Sequence, residues 1–458
     1  MRDSYVLLQN SYGTPEMRKI WEEENMVQKW LDYEAVITSE QVKLGLVPKW
    51  AGDDIISKST VKHLPPQVVA QWKGETGHIM VGCIKAFADM CGPAGEYYHL
   101  GPTTQDIVDT GLTIQIREAY QLLMKDLLKL EEVLVNLAKE HRTTVMMGRT
   151  HHQHAVPLTF GFKVAMWASE IRDDIDRMRE MEKRLFVMKL TAAVGSRNTF
   201  AYLLGVEKTL EFCNAVAKRV DLANPPWDPS SRTDRFAELT FNLALLCSTL
   251  AEMGLQIRDY QTTEIGELAE PWDPSKQYSS STMPGKRNPE PSEWQEGLAK
   301  IARSNALAMM DIQMVDERDA TRMGVEFACI PENFLMAHAA VRTAIRVFIG
   351  LEVHKERMRE NLYFLQGTAL GEVVMLKLWQ KTGKKVTAHT LVHDATMKAM
   401  TEKKLFKDAL LEMPEVKAVL SPEEIDEVTN PEAYIGTAPQ QVDAVVKYIE
   451  ERRKEQIV

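Results

Sequence analysis

Apolar residues recur every three or four positions along most of this chain, with polar residues between them. Apolar side chains at this spacing share one face of an α-helix. The pattern predicts long helices at 112–137, 167–185, 239–260 and 294–315, and a fifth at 332–362. At 1.5 Å per residue, the first of these helices is about 40 Å long. Five such helices in one region predict a long helical bundle.

Strand patterns are almost absent from the sequence. The segment 195–204 has a few β-prone residues and is expected to form a small hairpin or an extended loop. Glycines and prolines separate the helical patterns, for example Gly101-Pro102 before the first long helix. Gly367 and Gly371 open a region of shorter helices. A chain of 458 residues is expected to divide into two or three domains.

Composition narrows the possible functions. A net charge of −10 over 458 residues argues against a nucleic-acid or anionic-membrane partner. No apolar run approaches the roughly 20 residues that span a bilayer, and residues 1–8 lack a signal-peptide pattern. Five cysteines without CxxC spacing favour reduced thiols in a cytoplasmic protein over a zinc site. Long bundles with several apolar stripes often bury more than one helix face, so self-association is also expected.

Three polar clusters carry the candidate chemistry, and the first is the segment 99–106, His-Leu-Gly-Pro-Thr-Thr-Gln-Asp. Its glycine and proline predict a turn before the first long helix. The hydroxyls of Thr103 and Thr104, with the exposed N–H groups of a helix start, can bind a carboxylate. The alternative is a helix cap without a ligand.

The second cluster is the segment 148–157, which contains His151, His152 and His154. We expect it on a helix or a turn, where neighbouring side chains point in different directions and cannot easily bind one metal ion. Imidazole titrates near neutral pH, so His151 beside Arg149 is a candidate general acid or base. A structural histidine is the alternative.

The third cluster, residues 280–289, reads Ser-Ser-Thr-Met-Pro-Gly-Lys-Arg-Asn-Pro and is termed the serine loop. Its glycine and prolines predict a loop. Lys286 and Asn288 can stabilise a developing oxyanion. Serine is a weak base unless nearby cations and N–H dipoles stabilise its alkoxide in a water-poor site. The alternative is a flexible surface connection.

In this order the clusters resemble the three signature regions of the fumarase/aspartase superfamily, and the resemblance extends over nearly the whole chain. The serine loop is close to the family pattern GSSxMPxKxN. The resemblance implies an all-α homotetramer of three-domain subunits, with helical domains at 1–110, 111–364 and 365–458 and a multi-helix core. It also implies active sites built from three subunits, a dicarboxylate-containing substrate, and no metal or organic cofactor.

The reaction that this resemblance implies is anti β-elimination from a succinyl group, usually with release of fumarate. Carried over by position, Ser280 is the base, and Lys286 and Asn288 hold the carboxylate on which negative charge develops. His151 matches the residue that protonates the leaving group. Further substrate-binding positions are implied at Thr103, Thr104, His99, His78, Ser281, Met283, Arg318 and Tyr12.

Local sequence is most similar to the branch of adenylosuccinate lyase and 3-carboxymuconate cycloisomerase. Adenylosuccinate lyases hold the nucleotide phosphate partly with an Arg-Tyr pair, where this chain has Ser11-Tyr12. They also place a serine and an arginine where Met323 and Phe327 occur, although Arg322 could replace part of that site. Losing such charge-assisted hydrogen bonds costs about 1.5–3 kcal/mol each. A non-nucleotide substrate is therefore expected.

The leading hypothesis is a carbon–nitrogen lyase that splits an N-substituted aspartate into fumarate and an amine. A cycloisomerase that forms a lactone from a carboxylated muconate is one alternative, although bacterial cycloisomerases tend to carry tryptophan at the position of His151. Adenylosuccinate lyase of purine biosynthesis is a second alternative. A non-catalytic protein, like the lens crystallins related to argininosuccinate lyase, is a third.

Overall fold

The structure is a computed structural model that describes residues 7–229, 232–276, 280–314 and 319–455. It is 72% helical, which confirms the all-α class. The helices are α1 (Pro15–Ile20), α2 (Glu23–Lys43), α3 (Lys49–Lys58), α4 (Pro66–Thr76), α5 (Ile79–Cys91), α6 (Thr104–Glu140), α7 (Phe160–Glu180), α8 (Glu182–Leu185), α9 (Asn198–Leu204), α10 (Val206–Val220), α11 (Asp234–Gln261), α12 (Glu290–Asp311), α13 (Thr321–Ile349), α14 (Lys355–Leu362), α15 (Gly371–Thr382), α16 (Lys385–Glu402), α17 (Phe406–Glu412), α18 (Pro414–Lys417), α19 (Pro422–Val428) and α20 (Ala438–Glu455).

Within the described residues, four short strands form two antiparallel pairs. Strands β1 (Val145–Thr150) and β2 (Gln153–Thr159) form a hairpin, in which Met147 pairs with Pro157 and Arg149 with His154. The register shifts between Met147 and Arg149. Strands β3 (Leu268–Ala269) and β4 (Glu352–Val353) form the second pair. The β1–β2 hairpin was not predicted, because its segment was expected on a helix or a turn.

The five predicted long helices correspond to α6, α7, α11, α12 and α13, with two corrections. The second pattern breaks at Met181, so that α7 is followed by the short α8. The fifth was placed at 332–362, but α13 begins at Thr321, runs through Pro331 and ends at Ile349. The rest of that segment forms β4 and α14.

The segment 195–204 is a helix rather than a hairpin or an extended loop. Helix α9 covers Asn198–Leu204. The Phe200 ring is fully buried and packs on Phe212 of α10, with ring centroids 5.3 Å apart. Burial of one aromatic ring against the next helix therefore outweighs the weak strand pattern.

The chain divides into two compact units. Unit 1 comprises Met1–Leu127, Asp174–Leu250 and Trp294–Arg342, and unit 2 comprises Leu128–Asp173, Ala251–Glu293 and Thr343–Val458. The three-domain division at 1–110, 111–364 and 365–458 stays a prediction.

Buried polar groups tie the long helices together within each unit. In unit 1, Asn333 of α13 donates hydrogen bonds to the carbonyls of Thr240 in α11 (3.1 Å) and Ala302 in α12 (3.2 Å). His338 of α13 bonds to Asp126 of α6 at 2.9 Å. In unit 2, Arg172 of α7 forms a fully buried ion pair with Glu131 of α6 at 2.5 Å. These contacts fix neighbouring helices in one register, since each buried group has a defined partner.

Helix α11 is long and apolar enough to cross a membrane by length and composition, although no such segment was expected from the sequence. In the structure, 61% of its most apolar window is buried inside the protein. A core helix of a globular protein has the same property, so α11 gives little support to a membrane span.

All five cysteine side chains are buried and unpaired: Cys83, Cys91, Cys213, Cys247 and Cys329. Burial raises the pKa of Cys83 and Cys247 to about 12 and that of Cys91 and Cys213 to about 11. A thiol acts as a nucleophile only when it is deprotonated, so these side chains are chemically inert near neutral pH.

Candidate active site

The Ser280 hydroxyl organises the start of the serine loop. Its Oγ accepts hydrogen bonds from the backbone N–H of Met283 (3.0 Å) and, more weakly, of Thr282 (3.4 Å). The Lys286 N–H then donates to the Met283 carbonyl at 3.0 Å, which makes a second turn. Ser280 is half-buried, whereas Ser281, Met283 and Lys286 are exposed. Two N–H dipoles aimed at one oxygen stabilise negative charge on it.

Arg287 anchors the far end of this loop. Its guanidinium binds the Glu352 carboxylate through two nitrogens, at 3.0 and 2.8 Å, and donates to the Glu270 carbonyl at 2.7 Å. The hydrogen bonds from Arg287 lower the pKa of Glu352, because they stabilise its ionised form. The Gln261 amide also donates to the Arg287 carbonyl at 3.1 Å. The loop is therefore pinned immediately beside Lys286 and Asn288.

Two cavities adjoin the anchored end of the serine loop. One, of about 610 Å³, is lined by Lys286, Asn288 and His354 among others. The other, of about 860 Å³, is lined by Asn288, Trp272 and Arg346 among others. Both volumes suit a small molecule. Asn288 lines both cavities, and the lining of neither includes His151.

His151 lies at the tip of the β1–β2 hairpin. His151 and His152 form its two-residue turn, with φ of 53° and 59°. Positive φ at both central residues is typical of the tight hairpin turns whose twist matches the flanking strands. Histidine tolerates this conformation better than most residues. Both side chains are exposed, and the hairpin presents them to solvent in the single chain.

Arg149, the candidate neighbour of His151, is engaged with Glu267. Two guanidinium nitrogens bind the fully buried Glu267 carboxylate at 2.9 and 2.7 Å. Asn361 donates to the same carboxylate at 2.8 Å. The guanidinium also lies 5.5 Å from the centroid of the Tyr260 ring. Arg149 thus fixes the hairpin next to its turn.

In unit 1, Thr103 and Thr104 occupy the predicted helix start. Helix α6 begins at Thr104, and the Thr103 N–H donates to the Asp106 carboxylate at 2.9 Å. Both threonines are half-buried. Gly101 has φ of 101°, and a Cβ there would lie 2.7 Å from the Phe200 ring, so glycine is required at this turn.

Asp106, which was predicted only as a possible cap of the helix that follows, organises this turn from a fully buried position. Its carboxylate accepts hydrogen bonds from Lys189 Nζ (2.6 Å) and from the N–H groups of Thr191 (3.0 Å) and Ala192 (3.1 Å), besides Thr103. Aspartate three residues after a capping position is a recognisable signal for such a contact. Lys189, which is 83 residues away in sequence, carries no signal that it would contact Asp106.

His99 and His78 also belong to unit 1. His99 Nδ1 forms a short hydrogen bond to Oε1 of the buried Glu34. Burial by itself lowers the pKa of His99, but the Glu34 and Asp106 carboxylates together outweigh burial and the pKa is raised. His78 caps α5, and its Nδ1 accepts from the N–H groups of Met80 (3.2 Å) and Val81 (3.3 Å).

The other residues that the sequence comparison indicated for substrate or phosphate binding are Tyr12, Arg318, Arg322, Met323 and Phe327. Tyr12 packs edge-on against Trp294, with ring centroids 5.6 Å apart. Arg318 lies outside the described residues. Arg322 is buried and binds Asp109 at 2.8 Å, so the suggestion that it replaces a phosphate ligand finds no support in the single chain. Met323 and Phe327 pack against the apolar core of unit 1.

The candidates thus form local groups. In unit 1, His99, Thr103 and Thr104 share one turn, and His78 caps a different helix. In unit 2, the serine-loop residues lie together and His151 lies on the hairpin. Within 7–229, 232–276, 280–314 and 319–455, no group of three or more His, Cys, Asp or Glu side chains is placed to hold a metal ion.

Two family models match the chain. One, described as Lyase, matches residues 10–302, and the other, described as Adenylosuccinate lyase C-terminus, matches residues 367–445.

Relatives and solved structures cover almost its full length. The adenylosuccinate lyase of Methanocaldococcus jannaschii is 40% identical over 447 residues, which are 96% of this chain and 95% of the relative. The N-acetyl-S-(2-succino)cysteine lyase of Dickeya dadantii is 35% identical over 445 residues, covering 97% and 96%. The crystal structure of 3-carboxy-cis,cis-muconate lactonizing enzyme from Pseudomonas putida superposes with a TM-score of 0.90 at 30% identity, covering 98% and 99%.

Proposed function

Because the chain belongs to the fumarase/aspartase superfamily of lyases, we propose that it splits a succinate adduct by anti β-elimination and releases fumarate. The adduct that we propose is an N-substituted aspartate with a non-nucleotide amine as leaving group. Both relatives described above act, by their names, on compounds in which a succinyl group is attached to a nitrogen or a sulfur.

Ser280 is the proposed base, and its hydrogen bonding is the observation that carries the proposal. The hydroxyl oxygen already accepts the N–H groups of Thr282 and Met283, which lowers the free energy of an alkoxide at this oxygen. The alkoxide takes a proton from the substrate carbon next to a carboxylate. Lys286 and Asn288 stabilise the dianionic carboxylate that results.

His151 is the proposed acid. The electron pair of the dianion forms the carbon–carbon double bond of fumarate while the bond to the leaving nitrogen breaks. His151 donates its proton to that nitrogen, and the amine departs. The proposed substrate-binding residues are Thr103, Thr104, His99, His78, Ser281, Met283, Tyr12 and Arg318.

A homotetramer, in which three subunits contribute to each site, is part of the proposal. Helix α12 carries four large apolar side chains that are exposed in the single chain: Trp294, Ile301, Leu307 and Met310. This supports burial of their face against other subunits. The serine loop precedes α12 directly, so association through this helix would bring other subunits near Ser280.

A non-nucleotide substrate is supported by the groups at the expected phosphate site. Met323 and Phe327 are apolar, and the Arg322 charge is already matched by Asp109. A phosphate bound there would lack the charge-assisted hydrogen bonds that a serine and an arginine at these positions provide. A second candidate, elimination of a thiol from an S-succinyl compound, is favoured by the similarity to the cysteine-adduct lyase.

The experiment is a panel of N-succinyl amines, S-succinyl thiols and adenylosuccinate, with fumarate followed by its absorbance. We expect fumarate from at least one non-nucleotide adduct and the highest kcat/KM for an N-succinyl amine. Highest kcat/KM for adenylosuccinate would overturn the choice of leaving group. Lactone formation from a carboxylated muconate, with no fumarate from any adduct, would instead establish the cycloisomerase alternative.

A further inference from the structure

Glu34 of α2 is a buried carboxylate whose described hydrogen-bond partner is His99. Its side chain is fully closed to solvent, and Oε1 contacts His99 Nδ1. Glu34 Oε2 and the Tyr98 hydroxyl have no hydrogen-bond partner among the described residues. A buried carboxylate is costly unless a counterion compensates it. The His99 imidazole is the group placed to provide that charge.

This contact fixes which ring nitrogen of His99 remains for a ligand. An ionised carboxylate only accepts hydrogen bonds, so Nδ1 carries a proton in the contact with Glu34. Nε2 is then the ring nitrogen left for another group. The same helix holds the following peptide, because Gln41 donates to the Leu100 carbonyl at 2.6 Å. Helix α2 thus holds both the ring and the backbone of this turn, where His99 has φ of 57°.

The charges that face His99 favour its protonated form. Glu34 and Asp106 are the carboxylates that act on it, and their combined effect exceeds that of burial. The Tyr98 hydroxyl and the Cys83 thiol also face Glu34, and their pKa values are raised, so both stay neutral near pH 7. Thr103 and Thr104 follow four and five residues after His99 in the same turn. A cationic imidazole beside two hydroxyls and a helix start is suited to a carboxylate.

We propose that Glu34 is a positioning residue that holds His99 as an imidazolium, whose Nε2–H is donated to a carboxylate of the substrate bound at Thr103 and Thr104. The inference rests on the proposed function, because it concerns the same dicarboxylate. It adds a specific role for His99, which is binding of the substrate rather than proton transfer, and it assigns Glu34, which the family motifs did not indicate.

The test uses the full-length protein and fumarate as the probe. Glu34→Gln keeps the side-chain size but removes the charge. By NMR of labelled histidine, the pKa of His99 should fall by about 1 or more in this variant. Fumarate binding should weaken about tenfold at about pH 8, and this loss should shrink as the pH falls to about 5, because acid then protonates the imidazole even though burial lowers its pKa. The matched control is Glu40→Gln on the same helix, whose carboxylate pairs with Lys43 and Arg219 instead.

The outcomes separate the two proposals. An unchanged pKa of His99, unchanged fumarate binding, or a loss of binding that is equal at both pH values would overturn the role of Glu34. His99→Gln should weaken fumarate binding and remove its pH dependence, and it carries the test if Glu34→Gln does not fold. If no adduct yields fumarate but fumarate binding still depends on Glu34 in this way, the proposed reaction fails and the inference about Glu34 stands.

Discussion

Glu267 accepts hydrogen bonds from two nitrogens of Arg149, at 2.7 and 2.9 Å, at a site where the carboxylate is closed to solvent. Arg149 lies two residues before His151, the first residue of the hairpin turn. Burial lowers the pKa of Arg149, but Glu267, with a smaller contribution from Tyr260, outweighs this effect and the pKa is raised. The position of the proposed acid therefore depends on this buried ion pair.

Glu267→Gln should lower the free energy of unfolding by about 3–5 kcal/mol, because Arg149 keeps its charge and loses its counterion. Fumarate release should also slow, since the hairpin loses its anchor beside His151. Denaturant unfolding and steady-state kinetics measure the two effects. Glu264→Gln, at an exposed position of the same segment, is the control and should change stability by less than about 0.5 kcal/mol. Equal losses in the two variants would refute the specific role of the ion pair.

Ser280→Ala should reduce fumarate release by about 10²–10⁴-fold or more, because the proposed base is removed. Thermal stability should be unchanged, since the hydroxyl bonds to the backbone of its own loop. Parallel kinetics and thermal melts test both statements. Ser275→Ala, in the segment before the loop, serves as control and should retain activity. A large drop in melting temperature would assign Ser280 a structural role.

His151→Asn should lower turnover by about 10²–10⁴-fold while the hairpin still folds, because asparagine accepts positive φ. His152→Asn is the matched control, since it changes the other residue of the same turn. Activity of both variants is compared with far-UV circular dichroism and melting temperature. If both substitutions reduce turnover equally, the shape of the turn matters rather than the imidazole of His151.

Acidification should destabilise the protein through His338. Burial lowers the pKa of His338, with a partial opposing effect of Asp126. The unfolded chain then binds more protons, so stability present above about pH 6.5 is lost as the pH falls further. Burial lowers the pKa of His141 and His154 in the same direction. The contribution of these three histidines to the melting temperature should therefore decrease from about pH 7.5 to about pH 5.5, and His99, whose pKa is raised, acts in the opposite direction.

His338→Gln should reduce this pH dependence, although it lowers stability at every pH by removing two buried hydrogen bonds. The slope of melting temperature against pH is the informative measurement. His393→Gln, an exposed residue of α16, should leave the slope as it is. A slope that His338→Gln does not alter would show that other groups cause the acid sensitivity.

Leu307→Glu should dissociate the proposed tetramer. This side chain is 66% exposed on α12, so its replacement affects the isolated subunit little. A charge buried between subunits would cost far more. Sedimentation analysis gives the subunit number, and activity should fall with dissociation because the site needs several subunits. Val386→Glu, at an exposed position of α16, is the control and should leave the tetramer intact. A tetramer that persists in Leu307→Glu excludes this face as the interface.

The long helices could be predicted from sequence because their apolar residues repeat over many turns. The end of the fifth helix could not. Its predicted start followed Pro331, but α13 passes through this proline, and β4 and α14 were merged into the same helix. Short elements held by partners distant in sequence, such as β4 against β3, leave no periodic signal.

Motifs in the sequence indicated the residues of the candidate site, but not the hairpin and the buried carboxylates that hold these residues in place. The β1–β2 hairpin has histidines at its turn instead of the usual Asn-Gly, so its turn carries no recognisable hairpin signal. Glu34 is separated from His99 by 65 residues, and Glu267 from Arg149 by 118. A single charged residue does not identify a partner distant in sequence, and only the folded chain does.

The burial of all five native thiols has a practical consequence. At mildly alkaline pH these thiols remain protonated and inaccessible to reagents, so a maleimide would not react with them. A cysteine introduced at the exposed Met283 would then accept a fluorophore selectively, without prior removal of the natural cysteines. Its emission would report any change in the surroundings of the serine loop in real time as a dicarboxylate is added.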